Sequence, residues 1–150
     1  MLKNIDPLLN ADLLWVLAAM GHGDDLALVD ANHPADTVAS HCIIKKPLRV
    51  SASSMAKVAR AILTVFPIDD FTADPVRRME VVGDAAAVPA IQREVQAVID
   101  AAQGRALPLV GIERFAFYDA AKKAFAVVQI NDARPYGCFL LRKGVIAAAG

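Results

Sequence analysis

The sequence predicts one α/β domain spanning residues 1–150, with a central mixed β-sheet flanked by helices. Three observations predict it. A length of 150 residues suits one domain. Apolar residues alternate along the chain between helical spacing and short strand-like runs. No low-complexity linker, charge block or internal repeat divides the sequence.

Asn10 is a good N-cap, and residues 11–20 then read as a helix with Leu13, Leu14, Leu17 and Ala18 on one face. Gly21 is placed to end it as a C′ glycine. Residues 26–29 are a short apolar run closing in Asp30, and read as a buried strand. Residues 31–40, with Pro34, read as a polar loop, and 42–44 as a second strand. The next helix runs over 51–66, where Val58, Ala61, Ile62 and Val65 recur at helical spacing and Pro67 ends it. Residues 79–82 are a strand candidate. Residues 89–103 read as a helix with Pro89 in its first turn and Gly104 after its end. A strand over 107–112, a short helix over 113–123 and strands over 125–130 and 139–141 complete the chain. No helix separates the last two strands, so an antiparallel pair is expected there, and with it a mixed sheet.

Sixteen basic and sixteen acidic residues leave a formal net charge of zero. That argues against a nucleic-acid partner and against an anionic membrane surface. Hydrophobic residues make up 56% of the chain and the mean hydropathy is +0.41. This is more apolar material than one small core needs. Residues 13–23 are too short for a spanning helix and lack a basic flank. Two explanations remain: a homo-oligomer that hides apolar surface, or alanine richness that inflates the count. The two cysteines, Cys42 and Cys138, lie far apart in no CxxC pattern, which points to a reducing, cytoplasmic compartment.

His22 is the foremost catalytic candidate, because glycines flank it in Gly21-His22-Gly23-Asp24 and let a ligand approach closely. An ordinary histidine gives and takes protons near neutrality. Asp24, Asp25 and Asp30 are nearby carboxylates able to orient it. Asp30 also ends an apolar strand, where α/β ligand sites often lie. Residues 26–30 span about 13 Å as a strand. His22 and Asp30 therefore meet only if the glycine loop folds back, or if a neighbouring subunit completes the site. His22, Asp24, Asp30 and His33 lack compact metal-ligand spacing. His33 and His41 fall in the polar loop and read as surface residues. Arg114 stands at a helix start before Phe115, Phe117 and Tyr118, where it can pair with an acid or donate to sugar hydroxyls. Tyr136, in Tyr136-Gly137-Cys138, offers a ring for stacking and a hydroxyl for hydrogen bonding. No GxSxG, P-loop, GxGxxG or HExxH is present, so serine nucleophile, ATP and dinucleotide chemistry lack support.

Five blocks of the sequence resemble the L-fucose mutarotase and D-ribose pyranase family, in its order and spacing. They are Met1-Leu2-Lys3; the run from Leu13 that closes in Met20-Gly21-His22-Gly23-Asp24; Ile112-Glu113-Arg114-Phe115-Ala116-Phe117-Tyr118; Lys122-Lys123-Ala124-Phe125-Ala126-Val127-Val128; and Leu141-Arg142-Lys143-Gly144-Val145. The match is closer to the fucose branch. The resemblance implies a cofactor-independent isomerase that interconverts the α and β anomers of a small neutral monosaccharide such as L-fucose, or its ring forms. It also implies a homo-oligomer, a ring-shaped decamer, with sites near subunit contacts. By position, His22 matches the general acid, Asp30 a substrate-binding aspartate and Arg114 a substrate-binding basic residue. Tyr136 and Gly137 match a Tyr-Gly-Asn or Tyr-Ala-Asn motif, whose third place is Cys138 here. A weak thiol thus replaces an amide that donates and accepts. Two alternatives stand beside the mutarotase: a D-ribose pyranase-like isomerase, and a sugar-binding protein without turnover.

Overall fold

A computed structural model describes residues 1–149. Its element order is α1 (Ala11–Ala19), β1 (Asp25–Val29), α2 (Ala35–Ala39), β2 (Leu48–Val50), α3 (Met55–Leu63), β3 (Val76–Met79), α4 (Ala90–Gln103), β4 (Val110–Ile112), α5 (Arg114–Lys122), β5 (Ala126–Ile130) and β6 (Phe139–Arg142). The strands form one six-stranded sheet in the order β2-β5-β1-β6-β3-β4. β1 is parallel to β5 and antiparallel to β6, and β6 is antiparallel to β3 as well. The sheet is mixed, as predicted, because β6 alone runs against its neighbours. The expected pairing of the last two strands is corrected: β1 inserts between β5 and β6.

Strand side chains alternate between two faces, which splits the core into two layers. Leu26, Leu28, Val128, Ile130, Phe139 and Leu141 pack with residues of α1, α3 and α4. Ala27, Val29, Val127, Cys138 and Leu140 pack with residues of α2 and α5, including Val38, Phe117 and Ala121. α1 starts where predicted, since the Asn10 side chain accepts from the Leu13 N–H at 2.9 Å. Gly21 is not its left-handed cap, however: Met20 leaves the helix extended, and Gly23 carries the positive φ, at 87°.

Three expectations on the middle of the chain are corrected. Residues 42–44 form no strand; Cys42 instead donates to the Ala121 carbonyl at 3.2 Å, and Leu48–Val50 pairs with β5. Residues 31–40 contain the helix α2. β3 lies earlier than 79–82 and carries Arg77 and Arg78, both nine-tenths buried. Such burial requires partners. Arg77 has Asp25 at 2.6 Å, and Arg78 donates to Gln92 Oε1 at 3.1 Å and to the carbonyls of Ala85 and Ala87. No helix among the described residues is long and apolar enough to cross a membrane.

Candidate functional site

The predicted site residues fall into two groups at opposite ends of β1. At its carboxyl end, Asp30 is buried at 3% exposure. Its Oδ1 accepts the Asn32 N–H at 2.9 Å, and its Oδ2 accepts the Gly137 N–H at 2.9 Å and the Cys138 thiol at 3.6 Å. Burial raises the Asp30 carboxyl above its ordinary value, against the pull of these donors. Gly137 is required for this approach: a Cβ there would lie 2.5 Å from Ile91 Cδ1 and 3.2 Å from Asp30 Cβ. Tyr136 takes a positive φ of 63°, and its hydroxyl accepts the Val82 N–H at 3.3 Å.

Around Asp30 opens a cavity of about 290 Å³, lined by Asp30, Asn32, His33, Met79, Arg114, Tyr118, Pro135, Tyr136 and Cys138. The structure thus gathers Asp30, Arg114, Tyr136 and Cys138 from three stretches of sequence. Arg114 enters from the first turn of α5, which Glu113 caps by accepting the Phe115 and Ala116 N–H groups. The Arg114 guanidinium lies 5.7 Å from the Tyr118 ring centre, and among the described residues it pairs with no carboxylate. It is free to donate into the cavity.

His33 was expected at the surface, and that expectation is corrected. It is 6% exposed, with Nδ1 3.5 Å from Cys138 Sγ and its ring against Phe117 and Tyr118. Burial lowers its pKa to about 4. Burial, followed by the Asp30 charge, pushes the Cys138 thiol well up. His41 is exposed, as expected.

His22 sits at the other end of β1, outside this cavity, with 46% of its side chain exposed. None of the three anticipated carboxylates orients it. Asp24 accepts the Gly21 N–H, Asp25 holds Arg77 and Arg142, and Asp30 is at the far end of the strand. The orienting group is Asp69, whose Oδ1 lies 3.0 Å from His22 Nε2. Asp69 is 1% exposed and also accepts the Thr72 hydroxyl at 3.0 Å and the Phe71 N–H at 3.3 Å. Burial alone would raise its carboxyl, but the His22, Phe71 and Thr72 hydrogen bonds outweigh that and hold it below the ordinary value. Phe71, itself 71% exposed, lies with its ring centre 5.2 Å from that of His22.

The segment after β6 builds this end. Lys143 Nζ donates to the Leu17 and Met20 carbonyls, closing the last turn of α1, and its backbone pairs with Gly23 and Asp24. The Asp69 N–H donates to the Arg142 carbonyl. Gly144 passes so close that a Cβ would lie 2.6 Å from the Ile68 carbonyl oxygen and 2.8 Å from Asp69 Cα. Asp69, His33, Tyr118 and Lys143 are the site-forming residues that sequence reasoning missed. Among the described residues no group of three or more His, Cys, Asp or Glu is arranged to hold a metal ion.

Comparison with known proteins agrees with this architecture. Residues 3–146 match the model of the RbsD / FucU transport protein family. The chain is 37% identical to the L-fucose mutarotase of Histophilus somni, over 97% of both sequences. Protein Atu2016, a solved structure described provisionally as sugar binding, is 51% identical with a TM-score of 0.95, covering 98% of this chain and 97% of that one. The fucose mutarotase of Streptococcus pneumoniae, solved with L-fucose, is 30% identical with a TM-score of 0.85, covering 97% of this chain and all of that one. Bacillus subtilis RbsD, solved with D-ribose, is 19% identical with a TM-score of 0.67 over 98% of this chain and 100% of that one, a likeness of fold alone. Identity is thus higher toward the fucose mutarotases than toward RbsD, and the chain belongs to the RbsD / FucU family.

Proposed function

We propose that this protein is a cytoplasmic mutarotase of a small neutral monosaccharide, L-fucose or a close relative, with His22 as the acid and base. The observation that carries the reading is the His22–Asp69 pair: an exposed imidazole held through Nε2 by a buried, ionised carboxylate. With Nε2–H donating to Asp69, Nδ1 bears the free lone pair. Nδ1 takes the anomeric hydroxyl proton as the bond from the anomeric carbon to the ring oxygen breaks. The imidazolium returns that proton from Nδ1 to the ring oxygen, and the sugar opens to its aldehyde. Rotation about the adjacent carbon–carbon bond presents the other carbonyl face, and reclosure reverses both transfers. No electron pair leaves the sugar. Asp69 stabilises the imidazolium formed in between, and general acid–base help of this kind supplies ~10²–10⁴-fold.

The cavity at Asp30 is the sugar's binding half. Asp30 accepts from hydroxyls while Arg114 and Tyr136 donate, which holds the anomeric centre for attack. Since β1 separates His22 from that cavity, the His22 half of one copy completes the Asp30 half of a neighbour in a homo-oligomer, a closed ring of subunits. Exposed Trp15, Ile43, Phe71, Phe115 and Ile146 support such contacts. The family likeness to fucose mutarotases supports the substrate class. The free cysteines Cys42 and Cys138 fit a reducing compartment.

Saturation-transfer NMR between α and β L-fucose tests the reading. The protein is expected to accelerate exchange, and His22→Ala to lose that acceleration. Unchanged exchange across fucose, galactose and ribose defeats it. Sugar binding by calorimetry without faster exchange establishes instead a binding protein, the reading that likeness to Atu2016 favours.

A further inference from the structure

Cys138 and His33 join Asp30 in a buried chain, and no step above uses either of them. We propose that Cys138 and His33 are positioning residues for Asp30: His33 Nδ1–H donates to Cys138 Sγ, and the Cys138 thiol donates to Asp30 Oδ2. The role rests on the reading that Asp30 holds the sugar.

The direction of the chain follows from counting protons. Cys138 is 3% exposed and keeps its single proton, because burial and the Asp30 charge both oppose thiolate. A carboxylate is the strongest acceptor within reach, so the S–H turns to Oδ2 at 3.6 Å. The sulfur then meets His33 Nδ1, at 3.5 Å, with lone pairs only. Nδ1 must carry the hydrogen, and the buried imidazole stays neutral. His33 Nε2, buried without a partner among the described residues, is left as a bare acceptor. A buried N–H without a partner is the rarer and worse state, so this tautomer agrees with both ends of the ring.

Neither end of the chain exchanges protons during turnover. The thiol is pinned between a carboxylate and an N–H, and the imidazole stays uncharged. Asp30 therefore remains a fixed acceptor for sugar hydroxyls, while proton transfer is confined to His22.

Two measurements test this. Histidine nitrogen–proton correlation NMR on the protein, without sugar, reads the His33 tautomer. The expected result is a protonated Nδ1 and a bare Nε2 from pH 5 to 8, relaxing toward a mixture in Cys138→Ala. A protonated Nε2, or titration of His33 near 6.5, overturns the proposal whether or not the protein turns over fucose. In fucose exchange, Cys138→Ala is expected to raise KM about fivefold with kcat within about twofold, since binding is weakened equally in ground and transition states. Cys138→Ser, which restores an O–H of nearly the same shape, is expected to recover most of that loss. Equal KM values for Ala and Ser overturn the proposal. Absence of exchange in the parent protein defeats the mutarotase reading instead, and the tautomer measurement then stands alone.

Discussion

Replacing Asp69 with Asn tests how the carboxylate serves His22. Asp69 Oδ1 faces His22 Nε2 at 3.0 Å and the Phe71 N–H at 3.3 Å, and the Thr72 hydroxyl lies 3.0 Å from Oδ2. An amide has one oxygen and one NH₂ to distribute over those positions. With oxygen toward His22, both N–H donors keep their acceptor, and the NH₂ meets Thr72 Oγ1, which turns to accept. The opposite flip sets the NH₂ against two N–H donors. The first arrangement therefore wins, and His22 keeps its Nε2–H tautomer. Only the negative charge is lost. Hydrogen bonds to charged groups are worth ~1.5–3 kcal/mol net, against about 1 for neutral pairs. The difference, about 0.5–2 kcal/mol, corresponds to roughly a 2–30-fold lower kcat. KM stays near the parent value, because Asp69 does not line the Asp30 cavity. Asp69→Ala removes the acceptor and frees the tautomer, so its loss is larger, ~10²-fold or more. Saturation-transfer exchange of L-fucose anomers across a concentration series measures both. Asn at the parent rate, or Asn as slow as Ala, would refute the reasoning.

Three further outcomes follow from the same geometry. Mixing inactive His22→Ala with inactive Arg114→Ala, after dissociation and reassociation, restores exchange if neighbouring copies share a site; no recovery in verified mixed oligomers rejects that arrangement. Gly144→Ala drives a Cβ into the backbone of Ile68 and Asp69, so it lowers stability by about 1–3 kcal/mol and slows exchange; an unchanged melting temperature and rate contradict it. His33 titrates near 6.5 unfolded and about 4 folded, so between those values the unfolded chain binds more protons and stability falls as pH falls. The contribution is on the order of 3 kcal/mol at most, and denaturant unfolding at pH 7.5 and 4.5 should show a smaller drop in His33→Phe; equal drops contradict it.

What could be read from the sequence was what neighbours in the chain decide. α1, α4 and α5 are fixed by Asn10, Gly104 and Glu113 at their ends, and β1 and β5 by apolar runs. β3 was displaced because Arg77 and Arg78 resemble loop residues until Asp25 on β1 and Gln92 on α4 are seen beside them. The order of strands was hidden for the same reason, since β1 separates two strands that follow each other in sequence. In the site, His22 stood out by its flanking glycines, but Asp69 lies 47 residues away and reaches it only through the chain crossing at Gly144. His33 looked solvated because its loop is polar. Cys138, which meets it inside the protein, is 105 residues further on.

β6 runs against its neighbours, and this links the two ends of the site mechanically. Its entrance, at Tyr136–Cys138, shapes the Asp30 cavity, and its exit, at Lys143 and Gly144, holds the His22 loop and Asp69. Four residues of strand act as a ruler of about 10 Å between the Asp30 cavity and the His22–Asp69 pair. In the proposed shared-site arrangement, the same ruler would set the spacing at which one subunit presents its histidine to the next. A one-residue insertion in β6 would lengthen that ruler, so in the proposed arrangement a changed assembly and a loss of turnover would arise from a single defect.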